Sequence, residues 1–266
     1  MNNYTPAITK ENEALTRQME KLQSEFIDLF TSHKYMVENE SDILTSLYLE
    51  KIGRLQLELL EKRTGSSRLN MKMKLIQAAL NRNERPDPDA IDKILYERLT
   101  NYYAEIEAQS AAIEQAGKLL SHLIPVEDSL KLKELFRVLC KRLHPDLNPH
   151  QSELEKDLFV KMKAAYDLYD LKELQKILLF LDESRIEQLS AIPKVEKIER
   201  IHYLKESIAS LKDKIACLKI RFPFNIKESI FDEEYVFKKQ EEIRNQIRTF
   251  EEEIEKYTNI IYLMLP

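Results

Sequence analysis

Apolar residues return at intervals of three and four over most of this chain, the spacing that lines one face of an α-helix. From about Thr9 to Arg63 the stripe reads Leu15, Met19, Leu22, Phe26 and Leu29, then, after a more polar middle, Leu44, Leu47, Ile52, Leu55 and Leu59. This predicts one long helix or two in tandem. Gly65-Ser66-Ser67 is the first breaker, so the chain is expected to turn there before Leu69, Met73, Ile76 and Leu80 restart the pattern in a short helix. Asn83-Glu84-Arg85-Pro86-Asp87-Pro88-Asp89 is the strongest loop signal, with Asp87 able to cap and Pro88 suited to the first position of a new helix. That helix carries Leu95, Leu99, Tyr102, Ile106, Ile113 and Leu120, and is long enough to fold back along the first as an antiparallel partner. Residues 9 to 122 read as a helical stalk.

The C-terminal third repeats the theme with a stricter period. After Ile192-Pro193, residues Ile201, Leu204, Ile208, Leu211, Ile215 and Leu218 alternate by three and four, which is a heptad seam. Arg221-Phe222-Pro223-Phe224-Asn225 breaks it, Ser229 and Asp232 offer a capping pair, and Ile243, Ile247, Phe250, Ile254, Tyr257 and Ile261 resume the spacing. Two seams around a short turn predict an antiparallel coiled-coil hairpin. Parallel pairing between chains is the alternative, so a monomer or a coiled-coil dimer is expected.

Between these regions the pattern changes character. Leu132, Leu135, Phe136, Leu139 and Leu143 form one apolar face, while Lys133, Arg137 and Lys141 recur every four residues beside it and Arg142 widens the basic ribbon. Asp128 stands where an N-cap would begin this helix, and Pro145 disfavours helical geometry at His144, so the helix should stop near Leu143. Ser152 and Glu155 have capping-box spacing and open a helix with Leu158, Phe159, Met162, Ala165, Tyr166 and Tyr169 on its apolar face. An antiparallel pair joined by a loop of about ten residues would hold His144, Pro145 and Asp146 at its tip.

Composition narrows the classes of function. Three Gly, nine Pro, no Trp and 33% charged residues among 266 fit long helices with little turn chemistry. The net charge of −5 argues against a general nucleic-acid coat, and the basic ribbon is only one helix long. Cys140 and Cys217 have no metal-ligand spacing, which suits a reducing compartment. No signal-peptide pattern and no apolar run of about 20 residues is present, so a cytoplasmic location with no membrane contact is expected. A metal site of His144, Asp146 and His150 fits no helical face and has Pro145 inside it. No phosphate loop, His-Glu-x-x-His or nucleophile elbow is present; the reading is a non-enzyme with no cofactor and no metal.

The run Phe136-Arg137-Val138-Leu139-Cys140-Lys141-Arg142-Leu143-His144-Pro145-Asp146, followed by Phe159 and Ala164-Ala165-Tyr166, resembles the second helix, loop and third helix of a DnaJ-like J-domain over roughly residues 126 to 172. The resemblance implies a co-chaperone that binds a DnaK-type (seventy-kilodalton heat-shock) chaperone and stimulates its ATP hydrolysis. His144, Pro145 and Asp146 would be the essential loop, Arg137, Lys141 and Arg142 the docking cations, and Lys133 a weaker one. The usual first helix, aromatic-rich at its start and ending in Leu-Gly, is not recognisable before Pro125, and Leu147 stands where a Lys is common. There is no Gly/Phe-rich linker and no Cys-x-x-Cys repeat, so the chain is closer to specialised J-proteins, whose helical arms would choose a client.

The expected architecture is thus all-α and elongated: a stalk over residues 1–123, a J-domain-like module over 124–182 and a coiled-coil hairpin over 183–266. The rival reading is a structural coiled-coil scaffold that keeps a J-like fold without the co-chaperone activity.

Overall fold

A computed structural model describes residues 10–121, 126–182 and 193–265, and every regular element among them is helical. In chain order these are α1 (Lys10–Tyr35), a π-turn (Met36–Glu40), α2 (Ser41–Tyr48), a second π-turn (Leu49–Gly53), α3 (Arg54–Asn81), α4 (Pro88–Ser121), α5 (Val126–Leu143), α6 (Glu153–Asp167), α7 (Leu171–Asp182), α8 (Lys194–Lys219), a 3₁₀ turn (Phe224–Ile226), α9 (Lys227–Phe231) and α10 (Glu233–Met264). The chain divides into two compact units, each built from separated stretches of sequence: Met1–Ser41 with Ile124–Phe224, and Asp42–Leu123 with Asn225–Pro266.

In the first unit, α5, α6 and α7 pack on one another, and α1 packs against both α5 and α8. The predicted faces of α5 and α6 are the core: Leu132, Phe136, Leu139 and Leu143 bury against Met162, Ala165 and Tyr166. Phe136 stacks on Tyr166 with ring centroids 4.0 Å apart, while His144 meets Phe159 at 5.3 Å, so the two helices run antiparallel. α7 was not anticipated; its Leu174, Ile177 and Leu181 complete this core. Asp170 starts it by accepting from the Glu173 N–H at 2.9 Å. Tyr169, just before, adopts a left-handed conformation (φ 55°), which a non-glycine residue holds only when its surroundings fix it. Its hydroxyl donates to the buried Asn39 Oδ1, on the π-turn that ends α1.

The second unit pairs α10 with α3 along their lengths and folds α4 back on α3. Ile52, Ile243 and Ile247 make one small core, and Ile76, Ile91 and Leu95 make another. Asp87 caps α4 as expected, accepting from the N–H groups of Asp89 (3.0 Å) and Ala90 (3.3 Å), with Pro88 in the first helical position. Tyr102, expected on the buried stripe, is exposed.

Five expectations need correction. The chain does not turn at Gly65; α3 runs through it, because one glycine costs a helix only about 1 kcal/mol and tertiary packing outweighs that. The small residues there face α10: Ser66 donates to Glu253 Oε2 at 2.6 Å, and a Cβ on Gly65 would sit 3.5 Å from Ile254 Cδ1. The two C-terminal seams do not form a hairpin with each other, since α8 buries its seam on α1 and α10 buries its own on α3. A heptad stripe specifies that a helix needs a partner without specifying which one. For the same reason the 9–122 stalk is not one body: α1 belongs with α5 and α8, while α3 and α4 belong with α10. Finally, two caps shift. α5 begins by Val126, so Asp128 lies inside it and pairs with Lys131 at 3.6 Å, and Asp232, not a Ser229 box, caps α10 by accepting from the Glu234 and Tyr235 N–H groups. The readings placed on residues 1–9, 122–125 and Ile192 lie outside the described residues.

A candidate partner-docking loop

α5 stops at Leu143, where Pro145 was expected to stop it, and the chain turns tightly. The N–H groups of Leu147 and Asn148 both donate to the His144 carbonyl, at 3.0 and 2.9 Å. The open end of α5 is closed by two side chains that the sequence reading did not single out. Asn148 Nδ2 donates to the carbonyl of Arg142 at 2.8 Å and lies 3.3 Å from those of Lys141 and His144, and Gln151 Nε2 donates to the Leu143 carbonyl at 2.5 Å. A side-chain amide just past a helix end was the available signal, because the last carbonyls of a helix always need donors. Across the loop the Ser152–Glu155 capping box forms in full.

The three motif residues face differently. Pro145 is exposed, Asp146 is partly exposed, and His144 is turned inward with only 7% of its surface accessible. Its imidazole meets the rings of Phe26 at 5.0 Å, Phe30 at 4.5 Å and Phe159 edge-on. Two of these rings come from α1, more than a hundred residues away in sequence. The Asp146 backbone N–H donates to His144 Nδ1 at 3.2 Å, which makes the ring neutral with its proton on Nε2. Burial holds the His144 pKa below the ordinary histidine range, with Lys163 acting the same way and the Asp146 carboxylate opposing.

A depressed histidine pKa has a defined sign in stability. The unfolded chain takes up a proton at His144 as the pH falls through about 6.5, and the folded chain does so only lower, so stability is complete above that pH and declines below it. Melts of the wild type are expected to show a lower Tm at pH 5.5 than at 7.5, and His144→Gln to flatten part of the drop; an undiminished drop in the variant would rule out His144 as its source. His33, also shifted down by burial and by Lys214, contributes in the same direction in both chains.

The basic ribbon lies beside α1. Arg137 pairs with Asp28 at 2.6 Å, both side chains about half exposed, and the Lys133 ammonium sits over the Tyr35 ring at 4.8 Å. Lys141 is exposed and Arg142 half-buried. α8 also reaches the loop, where Glu196 Oε1 lies 3.4 Å from His150 Nε2. Beneath the ribbon, buried Lys34 bridges Glu38 and Asp167 and lies 5.6 and 5.5 Å from the Phe136 and Tyr166 ring centroids. Cys140 is buried and its thiol is pushed up to about 12 by burial, so it is a packing residue without thiolate chemistry near neutral pH.

Among the described residues, no group of three His, Cys, Asp or Glu side chains is arranged to hold a metal ion, and no helix is long and apolar enough to cross a membrane. Comparison with protein-family models, with curated proteins and with solved structures gives no match for this chain.

Proposed function

We propose that this protein is a J-domain co-chaperone that docks on a DnaK-type chaperone and stimulates its ATP hydrolysis, its helical arms serving to target a client or partner. The observation that carries the reading is the capped His144-Pro145-Asp146 loop between two antiparallel helices, with Arg137, Lys141 and Arg142 ranged along the first. The absent first helix was the main sequence-level objection. The packing of α1 on α5, with Phe26 and Phe30 around His144, supports the reading by supplying a helix drawn from elsewhere in the chain at that position. Exposed cations would steer encounter with a carboxylate-rich surface, and the loop would favour the partner's hydrolysis-competent state; the action is allosteric and no bond is made or broken by this chain.

The scaffold reading draws on a different observation, the engagement of Arg137 by Asp28 and of Lys133 by Tyr35 within the same chain. Single-turnover ATP hydrolysis by the host's DnaK-type chaperone separates the two. Wild type is expected to accelerate it by about tenfold or more, and folded His144→Gln and Asp146→Asn to leave it within about twofold of the chaperone alone. If wild type and both variants are equally inert, the scaffold reading stands instead.

A further inference from the structure

α1 and α8 form a parallel two-helix coiled coil within one chain. Glu11 pairs with Lys194 and Glu25 with Lys212, both at 2.7 Å, so the two helices advance in the same direction. Along α8 the seam places Ile201, Ile208 and Ile215 in one row and Leu204, Leu211 and Leu218 in the other, the composition that favours two-stranded parallel pairing. Such a stripe is satisfied as well by a second copy of itself as by α1. Lys197, one heptad before Leu204 in the leucine row, is the exception, and it is fully buried.

The Lys197 Nζ donates to Asn12 Oδ1 and to Thr16 Oγ1, each at 2.9 Å, and has no carboxylate partner among the described residues. The Thr16 hydroxyl gives its own proton to the Asn12 carbonyl at 2.9 Å, which leaves its oxygen free to accept. A buried charge held in this way adds little stability beyond an apolar side chain of the same volume, and its best-attested use is to specify which helix can face it. α1 meets it with two acceptors one turn apart. A second α8 in parallel register would meet it with another Lys197. The flanks repeat the choice: in that pairing Arg200 would face Lys205 of the second copy and Lys214 would face its Lys219, whereas α1 presents Glu25 to Lys212.

We propose that Lys197 and the basic flanks of α8 select its partner: they commit α8 to α1 and reject a second copy of α8. The inference does not depend on the co-chaperone reading. It bears on the loop all the same, because Phe26 belongs both to this seam and to the rings around His144.

The test compares three full-length chains: wild type, Lys197→Leu, and Lys197→Leu with Lys205→Glu and Lys219→Glu. The triple variant makes both facing pairs attractive between copies of α8 and leaves Lys212 on Glu25. Sedimentation equilibrium is expected to give a self-association constant about tenfold or more higher in Lys197→Leu than in wild type, and higher again in the triple variant, with helix content by circular dichroism unchanged. Wild-type-like association in the triple variant overturns the proposal. So does loss of helix in Lys197→Leu, which would make Lys197 a residue the fold requires and not one that chooses a partner. A second measurement needs no association and is made at low protein concentration. Thr16→Val removes one acceptor, and is expected to lower Tm about twofold more in the chain that keeps Lys197 than in the Lys197→Leu chain. Equal losses in the two backgrounds overturn the role of the polar layer.

Discussion

A chain that begins at Asp42 will not build the unit that contains the His144 loop. α1 contributes Met19, Phe26 and Ile27 to its core and packs Leu15, Leu22, Leu29 and Phe30 at the margin. At about 1.5–3 kcal/mol for each fully buried large side chain, the first three alone amount to roughly 5–9 kcal/mol, comparable with the whole net stability of an ordinary domain. Removing α1 also bares the α8 seam and one side of α5, and withdraws the ion pairs of Lys34 and of Asp28 with Arg137. The expected result is collapse of amide dispersion for residues 126–182 in a two-dimensional NMR spectrum, with α3, α4 and α10 still giving a folded pattern. Retention of dispersed signals from α5 and α6 would show that those helices form a self-sufficient module.

Phe136→Ala is the point substitution with the largest expected cost, about 3–5 kcal/mol. The side chain is fully buried, is stacked on Tyr166 and lies under the Lys34 ammonium, so truncation removes a packed ring, an aromatic pair and a cation–π partner together. Urea denaturation of the first unit should show a midpoint shifted to lower denaturant with an unchanged slope. Phe136→Leu, which keeps most of the volume, should cost about 1–2 kcal/mol. Near-equal costs for the two variants would mean that the cavity collapses on truncation and that the ring contacts contribute little.

The local grammar of this chain was readable because it depends on neighbours in sequence. The stop at Pro145, the Ser152–Glu155 box, the Asp87–Pro88 start and the buried faces of α5 and α6 each follow from residues within two turns of one another. Pairing was less legible. The seams of α8 and α10 have the same period as the stripes of α1 and α3, so spacing alone left the partner open and the short Arg221–Asn225 turn pointed to the wrong one. Gly65 misled for a related reason: the gain from packing α3 on α10 appears nowhere in the local sequence. At the site, the tripeptide and the cations were legible as a motif. The aromatic enclosure of His144 was not, because Phe26 and Phe30 reach the loop from a helix more than a hundred residues away in sequence.

The interleaving of the two units sets the order in which the protein can be completed on the ribosome. The apolar stripe of α1 emerges first, yet its partners on α5 and α8 follow about 100 to 175 residues later; at 5–20 residues per second, on the order of ten to thirty seconds pass before the seam can close. The hairpin of α3 and α4 can form in that interval because its contacts are local, but the other face of α3 stays open until α10 is made. Nascent chains of this protein therefore carry two unpaired hydrophobic stripes until α5, α8 and α10 have been made. A chain read here as an assistant to a chaperone is thus itself a candidate client of co-translational chaperones.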